Sequence, residues 1–113
     1  MSALENGRWP CPLAEYPEAW VKFREKGYPF RLRRELDLVA TDVAVLPIIL
    51  PYVVEWNLPD VNGRSISLPE ERPTALLDDV DEMLVVWLIR TFYEHRAGLM
   101  RPRPNLSAPS SST

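Results

Sequence analysis

Proline is the residue type that most limits what this chain can fold into. The sequence has 12 prolines among 113 residues, about twice the average share of roughly 5%. Each proline lacks a main-chain N–H and fixes φ, so it interrupts a helix interior or a central strand. Pro47 and Pro51 lie inside the longest apolar stretch, residues 43–54. That stretch therefore cannot form one regular helix, and it is too short to cross a bilayer.

Proline also marks the two ends of the sequence, at Pro10, Pro12, Pro17, Pro102, Pro104 and Pro109. Residues 101–113 combine proline and serine with one large apolar residue, Leu106, so burial cannot offset the entropy lost on ordering them. A chain of this length is expected to form one domain. The sequence predicts a flexible proline-containing arm over residues 1–13, a helical domain over 14–98 and a disordered Pro/Ser-rich tail over 99–113.

Composition narrows the classes of function. The net charge of -3 argues against broad contact with nucleic-acid phosphates, which requires clustered positive charge. Cys11 is the single cysteine and His95 the single histidine. This excludes an internal disulfide, disfavours a Cys/His zinc site and fits a reducing cytosol. The N-terminus shows no apolar segment behind basic residues, so no secretory signal is expected.

Apolar periodicity predicts a mainly α fold: one small domain of about three helices with a short N-terminal extended strand. The first helix is expected over residues 29–40, because Pro29 suits a first helical position and apolar residues then recur at helical spacing. The longest apolar stretch predicts a kinked or broken helix over residues 43–57. Branched side chains there support a strand as the alternative, but Pro47 and Pro51 are worse placed in a central strand.

The remaining elements are a strand, a turn and the most regular helix. Alternating side chains over Trp20–Phe23 predict the short strand. Asn62–Gly63 predicts a tight turn near residues 60–64, because both residues tolerate positive φ, and Asp60 is expected to fix it through main-chain hydrogen bonds. A helix is expected over residues 78–97, where an apolar face repeats at helical spacing, with acids at its start and bases at its end.

No catalytic, cofactor-binding or metal site is predicted. Cys11 and His95 could form a nucleophile and a base, but no third group or oxyanion motif accompanies them, so a lone thiol and a helical histidine are expected. The acidic residues within 78–82 are expected to complement a helix dipole. Residues 60–71 have their glycine at the wrong position for a calcium loop.

Aromatic side chains are the candidates for protein contacts. Trp9 and Trp20 lie in segments with little structure around them to bury their rings, and tryptophan is enriched in binding hot spots, so both are candidate contact residues. The alternative, at least equally favoured, is that Trp20 and Phe23 cover the domain's own core. A groove between the middle and last helices, near Tyr52, Trp87 and Phe92, is the second candidate. We expect the first place to serve self-association and the second to receive a protein client.

The order of segments also resembles that of a known family. The segment WVKFRE precedes a short charged helix and an apolar stretch ending in VVEWNL, and then come Asp60–Gly63, Leu68–Pro69 and a final amphipathic helix. This order is similar to that of tail assembly chaperones of long-tailed bacteriophages, particularly those with a V-x-W-x-L-x-D-x-x-G centre. The resemblance covers residues 20–97.

The resemblance implies a non-catalytic protein that binds the hydrophobic tape-measure protein in the host cytoplasm. Such a chaperone keeps its client soluble until tail-tube subunits assemble around it. The resemblance also implies a homo-oligomer and allows contact with the tail-tube protein, and no cofactor, nucleic acid or membrane partner is expected. A structural virion component, such as a neck or tail-completion protein, is the alternative, and it differs in remaining in mature particles.

Overall fold

Three helices and a three-stranded antiparallel sheet make up the fold, which a computed structural model describes for residues 3–4 and 6–100. The strands are β1 (Arg8–Pro10), β2 (Trp20–Phe23) and β3 (Val53–Asn57), and the helices are α1 (Phe30–Leu38), α2 (Asp42–Ile49) and α3 (Glu82–Met100). Short 3-10 helices, Leu50–Tyr52 and Thr74–Leu77, precede β3 and α3. Of the tail expected over residues 99–113, the part from residue 101 onwards lies outside the described residues.

The sheet has the strand order β1-β2-β3, so β2 is its central strand. Trp9 pairs with Val21 across one ladder, and Val21 pairs with Trp56 across the other, which places the three side chains in one row on one face. Trp9 and Val21 are buried and Trp56 is partly buried, so this face packs on the core. Pro10 is tolerated because β1 lies at the sheet edge.

The connection from β2 to β3 contains α1 and α2. α1 begins directly after Pro29, which has extended main chain, and it buries Leu32 and Leu36. Thr41 caps α2, since its hydroxyl oxygen accepts a hydrogen bond from the Ala44 N–H at 3.3 Å. The nearly uniform apolar sequence of α2 suits a helix that packs against both α1 and α3.

The core joins the sheet to α3 through aromatic rings. Phe92 of α3 meets Phe23 of β2 edge-on, with ring centroids 5.3 Å apart, a favourable geometry for aromatic pairs. Tyr28 and Tyr52 also contact Phe92, at centroid distances of 6.1 and 6.3 Å. We call these four residues the aromatic cluster. It joins β2, the segment between β2 and α1, the 3-10 helix before β3 and the longest helix, α3.

The prediction of a mainly α fold is wrong, because the chain forms an α+β structure. Residues 53–57, expected at the end of a helix over 43–57, form β3. Pro51 has no N–H with which to continue the hydrogen bonds of α2, and the chain passes through the 3-10 helix Leu50–Tyr52 into β3. The branched and aromatic side chains of β3 then pair with β2. Arg8–Pro10, expected in a flexible arm, form β1 and carry the buried Trp9.

Candidate functional site

Four of the five aromatic residues expected to bind partners lie in the core. Phe23 and Phe92 are 0% exposed, and Tyr52 and Trp87 are 7% exposed. The groove expected between the middle and last helices near Tyr52 and Phe92 is filled by the packing of these two rings on each other. Phe23 belongs to β2 and packs on Phe92 of α3, so the burial of these two rings depends on the sheet.

Trp20, the fifth residue, is partly exposed on the other face of the sheet. The Arg8 guanidinium lies over its indole ring, 3.8 Å from the ring centroid, within the range of a cation–π contact. Self-association through the edge of Trp20–Phe23 does not fit the structure. β2 is paired on both sides, with β1 and with β3, so it offers no free edge to another strand.

Cys11 and His95 are both engaged in the fold. Burial raises the pKa of the Cys11 thiol, which disfavours the reactive thiolate. His95 Nε2 donates to the Arg24 carbonyl at 2.8 Å, because a carbonyl only accepts, and Nδ1 accepts from the Trp9 indole N–H at 3.2 Å. The imidazole thus joins β1, the residue after β2 and α3, and neither ring nitrogen is left to act as a general base.

The turn over residues 60–64 is built around Asp60. Its Oδ1 accepts the main-chain N–H groups of Asn62 and Arg64 at 2.8 and 2.9 Å. Gly63 has a φ of +82° and donates its N–H to the Asp60 carbonyl at 3.0 Å. Asp60, Asn62 and Gly63 therefore shape the local main chain, as expected of these residue types in turns.

Within the acidic residues 78–82, Asp81 caps α3. Its two carboxylate oxygens accept from the Met83 N–H at 2.8 Å and from the Tyr16 hydroxyl at 2.6 Å. The Tyr16 hydrogen bond, followed by that of Met83, lowers the pKa of Asp81, and the same phenol–carboxylate bond raises the pKa of Tyr16. Among the described residues, no group of three His, Cys, Asp or Glu side chains could hold a metal ion.

A groove beside α3 is the first candidate binding surface. It has a volume of about 240 Å³ and lies between α3 and the segment after β1; we call it the Trp87 groove. Met83 on its wall is exposed, and Trp87 Nε1 has no hydrogen-bond acceptor within the described part of the chain, which is unusual for a buried N–H. The groove is lined by Pro12, Leu13, Met83, Val86, Trp87, Arg90, Thr91 and Glu94.

A second groove lies where α1 passes the C-terminal end of α3. It has a volume of about 320 Å³, and both charged side chains that line it, Arg33 and Arg96, are cationic; we call it the Arg33–Arg96 groove. Exposed apolar side chains, Phe30, Leu99 and Met100, form much of its wall. The two grooves share no lining residue.

Most residues that line the Trp87 groove were not predicted from the sequence as binding residues. Met83 widens the apolar face predicted for the last helix, and Val86 lies three positions further on, so helical spacing was the available signal for this pair. No local signal indicated that Pro12 and Leu13 of the expected arm would form the opposite wall. That contact depends on β1 joining the sheet.

Two further findings concern membrane-spanning helices and similarity to known proteins. Within the described residues, no helix is both long enough and apolar enough to cross a bilayer. No protein-family model, curated protein or solved structure matches the chain.

Proposed function

We propose that this chain is a non-catalytic tail assembly chaperone of a long-tailed bacteriophage. In the host cytoplasm it binds an apolar segment of the tape-measure protein and so assists assembly of the tail tube. The V-x-W-x-L-x-D-x-x-G centre over residues 54–63 supports the family. The observation that carries the proposal of client binding is the Trp87 groove.

The Trp87 groove suits an apolar protein segment. Leu13, Met83 and Val86 offer aliphatic surface beside the Trp87 ring, and the unbranched methionine side chain adapts to partners of varied shape. Arg90 adds a polar contact at the lining. Grooves of this kind receive large side chains that recur on one face of a helical or extended segment, which is the form an apolar client segment would present.

Substitution of the groove tests the proposal. Co-expression of the full chain with fragments of the tape-measure protein, followed by affinity capture, is expected to recover a complex. Met83→Glu with Val86→Glu places two charges on the groove wall and is expected to reduce recovery at least about tenfold, which corresponds to about 1.4 kcal/mol. Leu38→Glu with Val43→Glu is the matched control, because both residues are exposed outside the groove, and it should bind like the parent.

Two further measurements complete the test: capture of the complex at high salt, and a search for the chain in purified mature particles. Because the contact is apolar, the complex is expected to survive high salt, which screens exposed charges. Failure to capture any tape-measure fragment would contradict the chaperone proposal. Equal loss in both double variants would place the client elsewhere. Mass spectrometry of purified mature particles should not detect the chain, and its presence there would favour a structural virion component.

A further inference from the structure

Carboxylates from three segments of the chain gather at the N-terminal end of α3. Tyr16 donates to Asp81, and the Val61 N–H donates to the Asp79 carbonyl at 2.8 Å, so the segments 15–18, 60–64 and 78–82 meet at the N-terminal end of α3. Arg64 is the single cation in these three segments. Their carboxylates, which we call the acidic end, include Glu15, Glu18, Asp60, Asp78, Asp79 and Glu82.

An apolar side chain projects from the acidic end. Val61 follows Asp60 at the tip of the turn and is 62% exposed. It borders an open cleft that Glu15 and Glu18 also line. Hydrogen bonds hold the main chain of the turn, since Asp60 Oδ1 accepts from Asn62 and Arg64 and the Asp79 carbonyl accepts the Val61 N–H. Val61 therefore stands beside the carboxylates of the acidic end.

The Arg33–Arg96 groove has the complementary properties at the other end of the molecule. α3 has 19 residues, so its ends lie about 28 Å apart. The groove presents exposed apolar walls and two guanidinium groups, and no carboxylate lines it. Phe30, Leu99 and Met100 on its walls are 70%, 45% and 58% exposed, and adjoining exposed apolar side chains of this kind mark an interaction surface.

We propose that the Arg33–Arg96 groove receives the Asp60–Val61 turn of a second copy of this chain, so that copies associate head to tail. Val61 would enter between the apolar walls while the carboxylates of the acidic end approach Arg33 and Arg96. The contact uses two different surfaces, and such a heterologous contact extends into a chain of copies unless its geometry closes a ring. The proposal does not depend on client binding, because the Trp87 groove has a separate lining.

The charges argue for a second copy over the chain's own C-terminal segment. The segment that follows Met100 begins with Arg101 and Arg103, and these would bring positive charge towards Arg33 and Arg96. The acidic end brings opposite charge instead, and such complementarity favours encounter and fixes orientation. Because the charges involved are largely exposed, the association is expected to weaken as salt rises.

Two variants that each disable one surface test this contact. Arg33→Gln with Arg96→Gln alters the groove and leaves the acidic end intact. Val61→Lys with Asp79→Lys alters the acidic end and leaves the groove intact. Lys22→Gln with Lys26→Gln is the control, because it removes the same charge as the groove variant from residues that line neither groove. Circular dichroism establishes that all three fold like the parent.

Sedimentation velocity at low salt over a range of concentrations gives the readout. The parent and the control are expected to show a sedimentation coefficient that rises with concentration, and each surface variant alone should remain monomeric. An equimolar mixture of the two surface variants should form a heterodimer and nothing larger, because one intact groove then meets one intact acidic end. High salt should dissociate each of these complexes.

Three outcomes would overturn the proposal. The first is a parent that stays monomeric at every concentration at low salt. The second is a mixture that forms no heterodimer, or surface variants that associate as strongly as the parent. The third is stronger association after removal of residues 101–113, which would mean that this segment occupies the groove in the full chain. Each result is independent of whether tape-measure fragments bind.

Discussion

At Gly63, the energetic cost of one main-chain angle can be isolated. Its φ is +82°, and an added Cβ would meet nothing within 4 Å, so a substitution acts through the backbone alone. Gly63→Ala is expected to lower the free energy of unfolding by about 1–2 kcal/mol. Gly98 in α3 has equally open surroundings without a positive φ, so Gly98→Ala should raise it by up to about 1 kcal/mol. Changes of the same sign in urea unfolding would contradict this account.

Tyr28 is expected to make the free energy of unfolding fall at high pH. Burial raises its pKa from 10.0 to about 12, and its hydroxyl donates to the Arg24 carbonyl at 2.5 Å. Because the pKa is higher in the folded state, the stabilisation is complete below pH 10 and is lost as the pH rises towards 12. Tyr28→Phe should therefore lose stability less steeply over this range, measured by urea unfolding at several pH values. Tyr16 and Tyr93, whose pKa values are also raised, remain in both proteins, and parallel curves would exclude a role for Tyr28.

Residue roles could be predicted from the sequence where they depend on near neighbours. Asn62–Gly63 indicates a turn because its signal lies in the two residues themselves. The hydrogen bond between Trp9 and His95 joins positions 86 residues apart, and no periodicity relates them. The burial of Phe92 is similar, because the ring that covers it, Phe23, comes from the unpredicted sheet.

At the scale of secondary-structure elements, Arg72 connects the loop before Thr74–Leu77 to the 3-10 helix Leu50–Tyr52 and to the start of β3. Its Nη1 donates to the carbonyls of Leu50 and Pro51 at 3.2 and 3.3 Å and also to that of Val53. Side-chain donors commonly bond the last carbonyls of a helical segment. The Leu50 carbonyl also accepts the Val53 N–H, and Arg72 adds a charged donor at this end of the segment. Arg72 thereby holds the loop that precedes Thr74–Leu77 against the beginning of β3.

Arg72→Met retains the aliphatic stem and removes this donor. It is expected to lower the free energy of unfolding by about 1.5–3 kcal/mol, the usual worth of a hydrogen bond to a charged group, and to speed amide exchange over residues 65–72. Arg64→Met is the control, because Arg64 is exposed and bonds through its main-chain N–H, and it should change stability by less than about 0.5 kcal/mol. Equal effects of the two substitutions would remove the special role of Arg72.

Elements with strong local signals could be predicted, and those that need partners could not. α1 follows Pro29 and shows helical spacing, and the alternation of Trp20–Phe23 is that of β2. β3 lies inside an apolar run whose branched side chains fit a strand or a buried helix, and pairing with β2 decides between them. β1 has three residues, too few for any period to appear. Pro51 was the available signal that the second helix ends before β3.

At the scale of the whole molecule, the N-terminal strand β1 contacts the C-terminal part of the longest helix, α3. Trp9 of β1 lies opposite Val21 in the sheet, and its indole N–H reaches His95 near the end of α3. The two rings meet edge-on, with centroids 5.9 Å apart. From Arg8 onwards, the N-terminal segment therefore belongs to the domain, because β1 is one of the three strands of the sheet.

Trp9→Ala tests whether this contact stabilises the fold. Trp9 is 6% exposed, whereas Leu38 is 85% exposed. Removing a buried indole is expected to lower the free energy of unfolding by about 3–5 kcal/mol, with a further loss because His95 Nδ1 then lacks its donor. Leu38→Ala should change it by less than about 0.5 kcal/mol. If urea unfolding gave the same small change for both, residues 1–13 would behave as the flexible arm that proline content predicts, and β1 would contribute nothing to stability.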